Sequence, residues 1–403
     1  MSTPLPGKIH VPRGFRFSAL AAGLKVSGRP DLGFVEADRG TTAAAMFTSN
    51  RVVAAPVTVG RKSLAAAHGR LRALIVNSGN ANCATGKLGL RSCERVCREV
   101  ARLLKIKPTE IFPSSTGIIG VPLPVEKILP NLPALIAGRA ASEDAMLQFA
   151  QAIMTTDTRP KLASQRFRLG KNQVTISGVA KGAGMIHPQL ATMLVYVFTD
   201  LAAPPNVLQR SLRSASDDTF NCISIDGDTS TNDTVLLMAS GHSGARLTGA
   251  QSLTRFESVL SEVCRSLAEQ IVADGEGVKH VIRLFIEQAR NRDEAMQIAK
   301  AVAHSLLVKT AWAGADPNWG RILAAAGRSG VQLDPAKINI YIGEQLVCRA
   351  GAVHPFDESR AHLDLGQPQC DVRVQLGRGS ESVQFLTTDL TAEYVHINAD
   401  YST

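Results

Sequence analysis

The chain has 403 residues and a formal net charge of +9, from 44 Lys and Arg against 35 Asp and Glu. Its 45% hydrophobic content is typical of a compact globular protein and excludes a mostly disordered or collagen-like chain. The basic residues are scattered, aromatic residues make up only 5%, and the longest apolar run (190–198) is less than half of a membrane span, so we expect neither a nucleic-acid nor a membrane partner. No secretory signal is visible at the N-terminus, which favours a cytoplasmic location.

Predicted strands, helices and glycine-rich loops alternate along the chain. In the first half they are a strand over 71–76, a loop over 77–86, a helix over 90–104, a loop over 113–120, a helix from the N-cap Ser142 to Ile153, and strands over 173–179 and 192–198. In the second half they are strands over 222–225 and 235–238, helices over 252–273 and 293–306, and strands over 281–287, 338–342, 371–376 and 394–397. Runs of strands and runs of helices in both halves indicate a layered α+β fold.

Two patterns that could suggest metal sites are better interpreted as structural. The seven cysteines include no CxxC motif, and Cys93 and Cys97 have no second ligand pair nearby in the sequence, so we expect reduced, buried thiols. Residues 226–233 (DGDTSTND) lack the twelfth-position glutamate of a calcium loop, so we interpret them as a turn whose side chains satisfy nearby backbone groups. We therefore expect no bound metal.

The most informative segment is a glycine-rich loop that leads into an apolar strand. Gly182 and Gly184 permit backbone conformations closed to other residues, and Pro188 stops regular strand pairing. Ala191 and Thr192 then stand at the mouth of the strand. This is the geometry that Thr192 would need to become a new N-terminus, although an ordinary loop before a core strand fits the same pattern.

A free N-terminal threonine would supply its own base. A threonine hydroxyl is a weak nucleophile alone, whereas an α-amine has a pKa of about 7.7–8.0, close to working pH. Cleavage between Ala191 and Thr192 would therefore place a base beside the hydroxyl. The hydroxyl would first attack the Ala191 carbonyl, which moves the acyl group from nitrogen to oxygen, and water would then hydrolyse the ester.

This segment resembles the self-cleavage site of the ornithine acetyltransferase family, also called glutamate N-acetyltransferases, of arginine biosynthesis. Other stretches similar to the family span the whole chain in the family's order, so the joint signal is specific where each stretch alone is weak. They are residues 48–56 (TSNRVVAAP), 77–82 (NSGNAN), 115–120 (STGIIG), 154–158 (MTTDT), 226–233 (DGDTSTND), 273–277 (ADGEG) and 397–403 (INADYST). Three positions depart from the family pattern, namely Cys83, Gln189 and Ser402.

The resemblance implies a fold, a processing event and an assembly. The implied fold is an α+β, αββα-type layered sandwich of two packed domains, similar to that of related aminopeptidases. Self-cleavage between Ala191 and Thr192 would give an α chain (1–191), which carries the oxyanion-hole and Lys181 loops, and a β chain (192–403), which starts with the nucleophile. Two α and two β chains are expected to form a heterotetramer.

The resemblance also assigns site residues. It implies that Thr192 is the nucleophile and that Thr116 and Gly117 form the oxyanion hole. Substrate contacts are expected from Thr155, Lys181, Thr192, Glu276, Asn398 and Thr403. Lys181 suits the α-carboxylate of the substrate and Glu276 suits the side-chain ammonium of ornithine, whereas Thr156 stays open as the alternative to Thr155.

The implied reaction is acetyl transfer from N2-acetyl-L-ornithine to L-glutamate through an acetyl-threonine intermediate. Its products are L-ornithine and N-acetyl-L-glutamate, and no cofactor is expected. Three alternatives stay open. They are a bifunctional form that also acetylates glutamate from acetyl-CoA, an N-terminal-nucleophile hydrolase or aminopeptidase that uses water as acceptor, and a binding protein in which Thr192 is only a core strand residue.

Overall fold

The computed structural model describes residues 8–187 and 193–400, and within these ranges the strands form three sheets. The strands are β1 (Phe15–Leu20), β2 (Leu32–Ala37), β3 (Thr42–Phe47), β4 (Ala73–Asn80), β5 (Ile111–Ile118), β6 (Lys161–Leu169), β7 (Asn172–Lys181), β8 (Leu194–Thr199), β9 (Thr234–Ala239), β10 (Val281–Ala289), β11 (Asn339–Ile342), β12 (Gln345–Arg349), β13 (Ala352–Val353), β14 (Gln369–Gln375) and β15 (Glu381–Thr388). The helices are α1 (Ala55–Ala66), α2 (Gly86–Leu104), α3 (Val125–Ile128), α4 (Leu132–Ala137), α5 (Glu143–Ala152), α6 (Pro205–Asp217), α7 (Ala250–Val272), α8 (Arg292–Ala303), α9 (Leu306–Ala313), α10 (Trp319–Gly327), α11 (Glu358–Leu365) and α12 (Ala392–Asp400). No helix in the described ranges has the length and apolar character needed to cross a membrane.

Two sheets pack face to face. The first sheet has the order β1-β2-β4-β5, and the second has the order β3-β9-β8-β7-β6. Their inner faces share one buried cluster, in which Phe17 of the first sheet meets Phe198 of the second edge to face, with ring centroids 5.1 Å apart. Because alternate residues of each strand point inward, these two faces bury their apolar side chains against each other.

Helices cover both outer faces of this pair. Cys93 and Val96 of α2 share a buried cluster with Ile75 of the first sheet. On the far side, Leu260 of α7 shares a cluster with Val197 of the second sheet. The layers therefore run helix, sheet, sheet, helix, which confirms the expected αββα-type sandwich.

A third sheet builds the second packed unit. Its order is β13-β12-β11-β14-β10-β15, with β10 and β14 parallel and the other neighbours antiparallel. Helices α8 to α11 supply apolar side chains such as Trp312 to the same buried cluster as Ile282 and Leu284. The chain then returns through α12 to the sandwich.

The expected division into chains 1–191 and 192–403 falls within the second sheet. Strands β7 and β8 are antiparallel neighbours, and Lys181 pairs with Leu194. Strand β3 also pairs with β9 from the other half. The two expected chains would therefore share one hydrogen-bonded sheet, and their separation into distinct chains stays a prediction.

Two predicted loops begin or lie within strands. The loop predicted over 77–86 begins inside β4, and the loop predicted over 113–120 is mostly β5. The two strands are parallel neighbours, and the Ser115 hydroxyl donates to Asn77 Oδ1 at 2.6 Å. Glycine and small polar residues indicate a loop in sequence, but here the backbone is paired in the sheet, and the buried side chains find partners in β5 and in other nearby segments.

Two further predictions are wrong. Residues 222–225 form no strand, because Ile223 makes only a single bridge to Leu386. The strand predicted over 394–397 is part of α12, because β-propensity is weaker than the tertiary contacts of this helix. The remaining predicted elements are confirmed within a few residues, and all seven cysteines are buried with free thiols.

Candidate active site

A cavity of about 220 Å³ lies beside the ends of β5 and β7, one strand from each sheet of the sandwich. Segments far apart in the chain line it. The predicted site residues among them are Thr116, Gly117, Thr155, Lys181, Glu276 and Asn398, and Thr156 lines it as well. The predicted residues Ala191, Thr192 and Thr403 lie outside the described residues.

The conformation of Gly117 shapes one wall of the cavity. Its φ of +129° is open to glycine, and a Cβ at this position would overlap the backbone of Gly79 in β4. From the other half of the chain, the Asn232 amide donates to the Ser115 carbonyl at 2.8 Å. The backbone that presents Thr116 to the cavity is therefore held from two sides.

Lys181 supplies a buried cation to the cavity. It is the last residue of β7, is only 3% exposed, and has its ammonium 4.0 Å from Asp157 Oδ2. Burial lowers the pKa of Lys181 below its ordinary value, and the Asp157 carboxylate opposes that shift. Burial alone would raise the pKa of Asp157, but the ammonium groups of Lys161 and Lys181 hold it below its usual range. The carboxylate of Asp157 is therefore ionised beside the cation.

Glu276 supplies the opposite charge from the loop that follows α7. Its backbone N–H donates to the Ala183 carbonyl at 2.9 Å, which joins this loop to the one after β7. Its Oε2 accepts a hydrogen bond from Asn398 Nδ2 of α12 at 2.8 Å. Gly184 lies against the carboxylate, and a Cβ there would overlap it.

Asp226 and Tyr394 also line the cavity and were not predicted as site residues. Asp226 accepts hydrogen bonds from the backbone N–H groups of Met185 and Ile186 and from the Tyr394 hydroxyl. Burial raises the pKa of Asp226 to about 6, although the backbone N–H groups oppose that shift. The prediction that the 226–233 turn satisfies backbone groups is confirmed. No local sequence pattern indicates that Asp226 and Tyr394 lie at the cavity, because their segments come together only in the folded protein.

This arrangement suits a small amino-acid-like ligand. One lysine, Lys181, three acidic residues, Asp226, Asp228 and Glu276, and several hydroxyl groups face a cavity too small for a drug-sized molecule. A ligand that carries both a carboxylate and an ammonium would meet a complementary charge for each. Within residues 8–187 and 193–400, no group of three or more His, Cys, Asp or Glu residues is placed to hold a metal ion.

Comparisons with known proteins give one family over most of the chain. The model of the ArgJ family matches residues 16–403. The chain is 46% identical over 394 residues to the arginine biosynthesis bifunctional protein ArgJ of Methylococcus capsulatus. This alignment covers 97% of the present chain and 95% of that protein. It is 42% identical over 394 residues to the protein of the same name from Geobacter sulfurreducens, covering 97% of this chain and 99% of that protein.

A solved structure is also similar. The crystal structure of the arginine biosynthesis bifunctional protein ArgJ from Bacillus halodurans matches with a TM-score of 0.50 at 39% sequence identity. The match covers 98% of that chain but 51% of this one. The crystallised chain therefore has about half the length of the present chain.

Proposed function

The chain belongs to the ArgJ family, and from this membership and the residues that line the cavity we propose that it transfers an acetyl group from N2-acetyl-L-ornithine to L-glutamate. The products would be L-ornithine and N-acetyl-L-glutamate, as expected of a step in arginine biosynthesis. The names of its relatives place them in that biosynthesis.

One observation carries the proposal. Six residues predicted from five separate segments of the sequence line a single cavity. Two of them, Lys181 and Glu276, carry opposite charges. Thr116 and Gly117 lie in β5 of the first sheet, whereas Lys181 lies in β7 of the second sheet. N2-acetylornithine carries an α-carboxylate, a side-chain ammonium and an acetamide, so each of its polar groups has a proposed partner here.

The first half-reaction would form an acetyl-enzyme. The α-amine of Thr192, freed by cleavage after Ala191, takes the proton of the Thr192 hydroxyl. The hydroxyl oxygen bonds to the acetyl carbon, the carbon–nitrogen bond of the acetamide breaks, and the proton passes to the nitrogen of the departing ornithine. The Thr116 hydroxyl and the Gly117 N–H would stabilise the oxyanion that develops, and one such donor is typically worth about 3–4 kcal/mol.

The second half-reaction would reverse these steps with a new amine. The amine of glutamate bonds to the acetyl carbon and passes a proton to the α-amine of Thr192. The ester carbon–oxygen bond breaks, and that proton then passes to the threonine oxygen and restores the hydroxyl. Both the broken and the formed bond are α-amides of amino acids, so the exchange is nearly thermoneutral and needs no external energy source.

Substrate contacts follow from charge and position. Lys181 would bind the α-carboxylate, and Glu276 would bind the side-chain ammonium of ornithine. Hydrogen bonds would come from Asn398, from Thr403 and from Thr155 or its neighbour Thr156. Both of these neighbouring threonines line the cavity, so the choice between them needs a measurement.

The crystal structure from Bacillus halodurans supports the proposed self-cleavage. A chain of about half the present length, matched over 98% of its residues, is what a cleaved relative would contribute. We further propose that the two chains stay associated through the shared second sheet and form a heterotetramer of two α and two β chains. The mass of the native assembly by light scattering tests this arrangement.

A second activity is favoured by the word "bifunctional" in the names of the relatives. We propose that acetyl-CoA serves as an alternative acetyl donor for glutamate. Incubating the enzyme with acetyl-CoA and glutamate, without acetylornithine, tests this directly. N-acetylglutamate and free CoA in equal amounts would support it, and no product above an enzyme-free control would contradict it.

Product analysis tests the main proposal against the alternatives. Purified protein is incubated with N2-acetylornithine, with and without glutamate, and ornithine, acetate and N-acetylglutamate are quantified. Transfer predicts ornithine and N-acetylglutamate in equal amounts, with sustained release only when glutamate is present. Acetate release that does not depend on glutamate would instead show a hydrolase, and no turnover at all would favour a binding protein.

A further inference from the structure

A buried charge cluster lies directly behind the cavity. We define the Asp–Lys–Asp cluster as Asp157, Lys161 and Asp274. The ammonium of Lys161 lies 2.6 Å from Asp157 Oδ1 and 2.6 Å from Asp274 Oδ2. All three side chains are at most 3% exposed. None of them lines the cavity, and the proposed reaction assigns them no role.

The first arm of the cluster fixes two loops of the cavity. Asp157 accepts the backbone N–H of Thr155 at 2.9 Å and that of Gly182 at 2.7 Å. Its Oδ2 also lies 4.0 Å from the Lys181 ammonium. One carboxylate therefore holds the threonine loop, the backbone beside Lys181 and the Lys181 cation.

The second arm of the cluster fixes the loop that carries Glu276. Asp274 is two residues before Glu276, and it accepts hydrogen bonds from the backbone N–H of Thr158 at 3.1 Å and from the Thr158 hydroxyl. Through Lys161 it is tied to Asp157. Hence the loop with Glu276 and the strand end with Lys181 are held by one continuous set of charge-assisted contacts.

Stability alone is a weak reason for such a cluster. Burying ions costs desolvation energy that their mutual attraction often only offsets, and apolar side chains of similar size commonly stabilise a core as well or better. Geometry offers a further reason, because charge-assisted hydrogen bonds are short and directional and so constrain where their partners lie.

We propose that the Asp–Lys–Asp cluster is a positioning device that sets the separation between the Lys181 ammonium and the Glu276 carboxylate. This inference rests on the proposed function. With a fixed separation, the site selects an acetylated amino acid whose α-carboxylate and side-chain ammonium are spaced as in ornithine. The three residues act through Lys181 and Glu276 and touch no substrate.

A pair of donors isolates this effect. N2-acetylnorvaline has the carbon skeleton of N2-acetylornithine but lacks the side-chain ammonium. The ratio of kcat/KM for the two donors therefore reports the contact with Glu276 alone. A loss of folded protein lowers both values equally and leaves the ratio unchanged.

The test variant is Asp274→Asn, which keeps the shape of the side chain and removes its charge. The matched control is Glu294→Gln, which removes one acid from a largely buried ion pair with Arg378 in the second packed unit. We expect Asp274→Asn to lower the donor ratio by about tenfold, through a higher KM for N2-acetylornithine and a nearly unchanged kcat. Glu294→Gln should keep the ratio of the unchanged enzyme.

An unchanged donor ratio in a folded, active Asp274→Asn variant would overturn the positioning role. If that variant does not fold, Thr158→Val is used instead, because it removes only the hydroxyl donor to Asp274. A lower donor ratio in Thr158→Val would support the positioning role, and an unchanged ratio would overturn it. Absence of glutamate-dependent transfer in the unchanged enzyme would be a different result, because it would contradict the proposed function and the inference that rests on it.

Discussion

The amide of Asn398 donates a hydrogen bond of 2.8 Å to the carboxylate of Glu276. This contact joins α12, the last helix, to the loop after α7, 122 residues earlier in the chain. Gly184 packs against the same carboxylate from the loop after β7. The carboxylate is thus confined by contacts from both sides of the proposed cleavage point.

Gly184→Ala tests this confinement. Gly184 has no positive φ, so the cost of the substitution is the overlap of the new Cβ with Glu276. Because the carboxylate is the end of a flexible side chain, we expect it to move aside, with a rise in KM for N2-acetylornithine and little change in the free energy of unfolding. Steady-state kinetics and denaturant unfolding measure the two effects.

The control is Gly327→Ala at the end of α10, where a Cβ meets no atom within 4 Å. It should leave KM unchanged. A Gly184→Ala enzyme with the KM of the unchanged protein would show that the position of Glu276 does not matter for the donor.

Thr116→Val tests the proposed oxyanion hole. Valine keeps the shape of the side chain in β5 and removes the hydroxyl. The transition state therefore loses a hydrogen bond to its oxyanion, whereas the bound N2-acetylornithine, which carries no oxyanion, loses none. We expect kcat to fall by about 10²–10³-fold with KM little changed. Thr310→Val, on the exposed surface of α9, is the control and should keep full activity.

Retained activity in Thr116→Val would contradict the assignment of the Thr116 hydroxyl to the oxyanion hole. If Thr116→Val retained the kcat of the control, the hydroxyl would contribute nothing to the oxyanion, and the backbone N–H of Gly117 would have to act without it.

The pH dependence of stability tests the environment of Asp226. Its pKa is about 6 in the folded protein because of burial, against an ordinary value of 3.8. Between these pH values the unfolded chain has lost this proton and the folded chain keeps it. The contribution of Asp226 to the free energy of unfolding therefore falls as pH rises from about 4 to about 6, by about 1–3 kcal/mol.

The comparison is made with Asp226→Asn, which cannot titrate. The difference in the free energy of unfolding between this variant and the unchanged protein should grow in the variant's favour across that interval. Thr310→Val, an exposed substitution that involves no titratable group, is the control and should run parallel to the unchanged protein. Parallel curves for Asp226→Asn as well would mean that its pKa is not raised.

The sequence predicted the layered fold and the residues proposed for the site, the latter through the family resemblance. Each proposed contact lies in a short stretch, such as residues 115–120 or 273–277, that is weak evidence alone and becomes specific only because all the stretches occur in the family's order. Periodicity also located α7 and the core strands, since their apolar spacing is strong.

The sequence could not predict what depends on long-range contacts. Polar residues 77–80 belong to a strand because their backbone pairs with that of β5, 38 residues away in sequence at Ser115. Tyr394 belongs to a helix that reaches Asp226, 168 residues away. Lys161 is a charged residue in a strand, a pattern typical of a solvent-facing position. Its burial is explained by its two carboxylate partners, Asp157 and Asp274, and Asp274 comes from the loop after α7, 113 residues away.

Intact-mass spectrometry of the active protein under denaturing conditions tests the central claim most directly. We expect two chains, 1–191 and 192–403, and a Thr192→Ala variant that remains one chain and transfers no acetyl group. A fully active preparation with residues 191 and 192 still joined, or a Thr192→Ala variant that is cut and active, would contradict it.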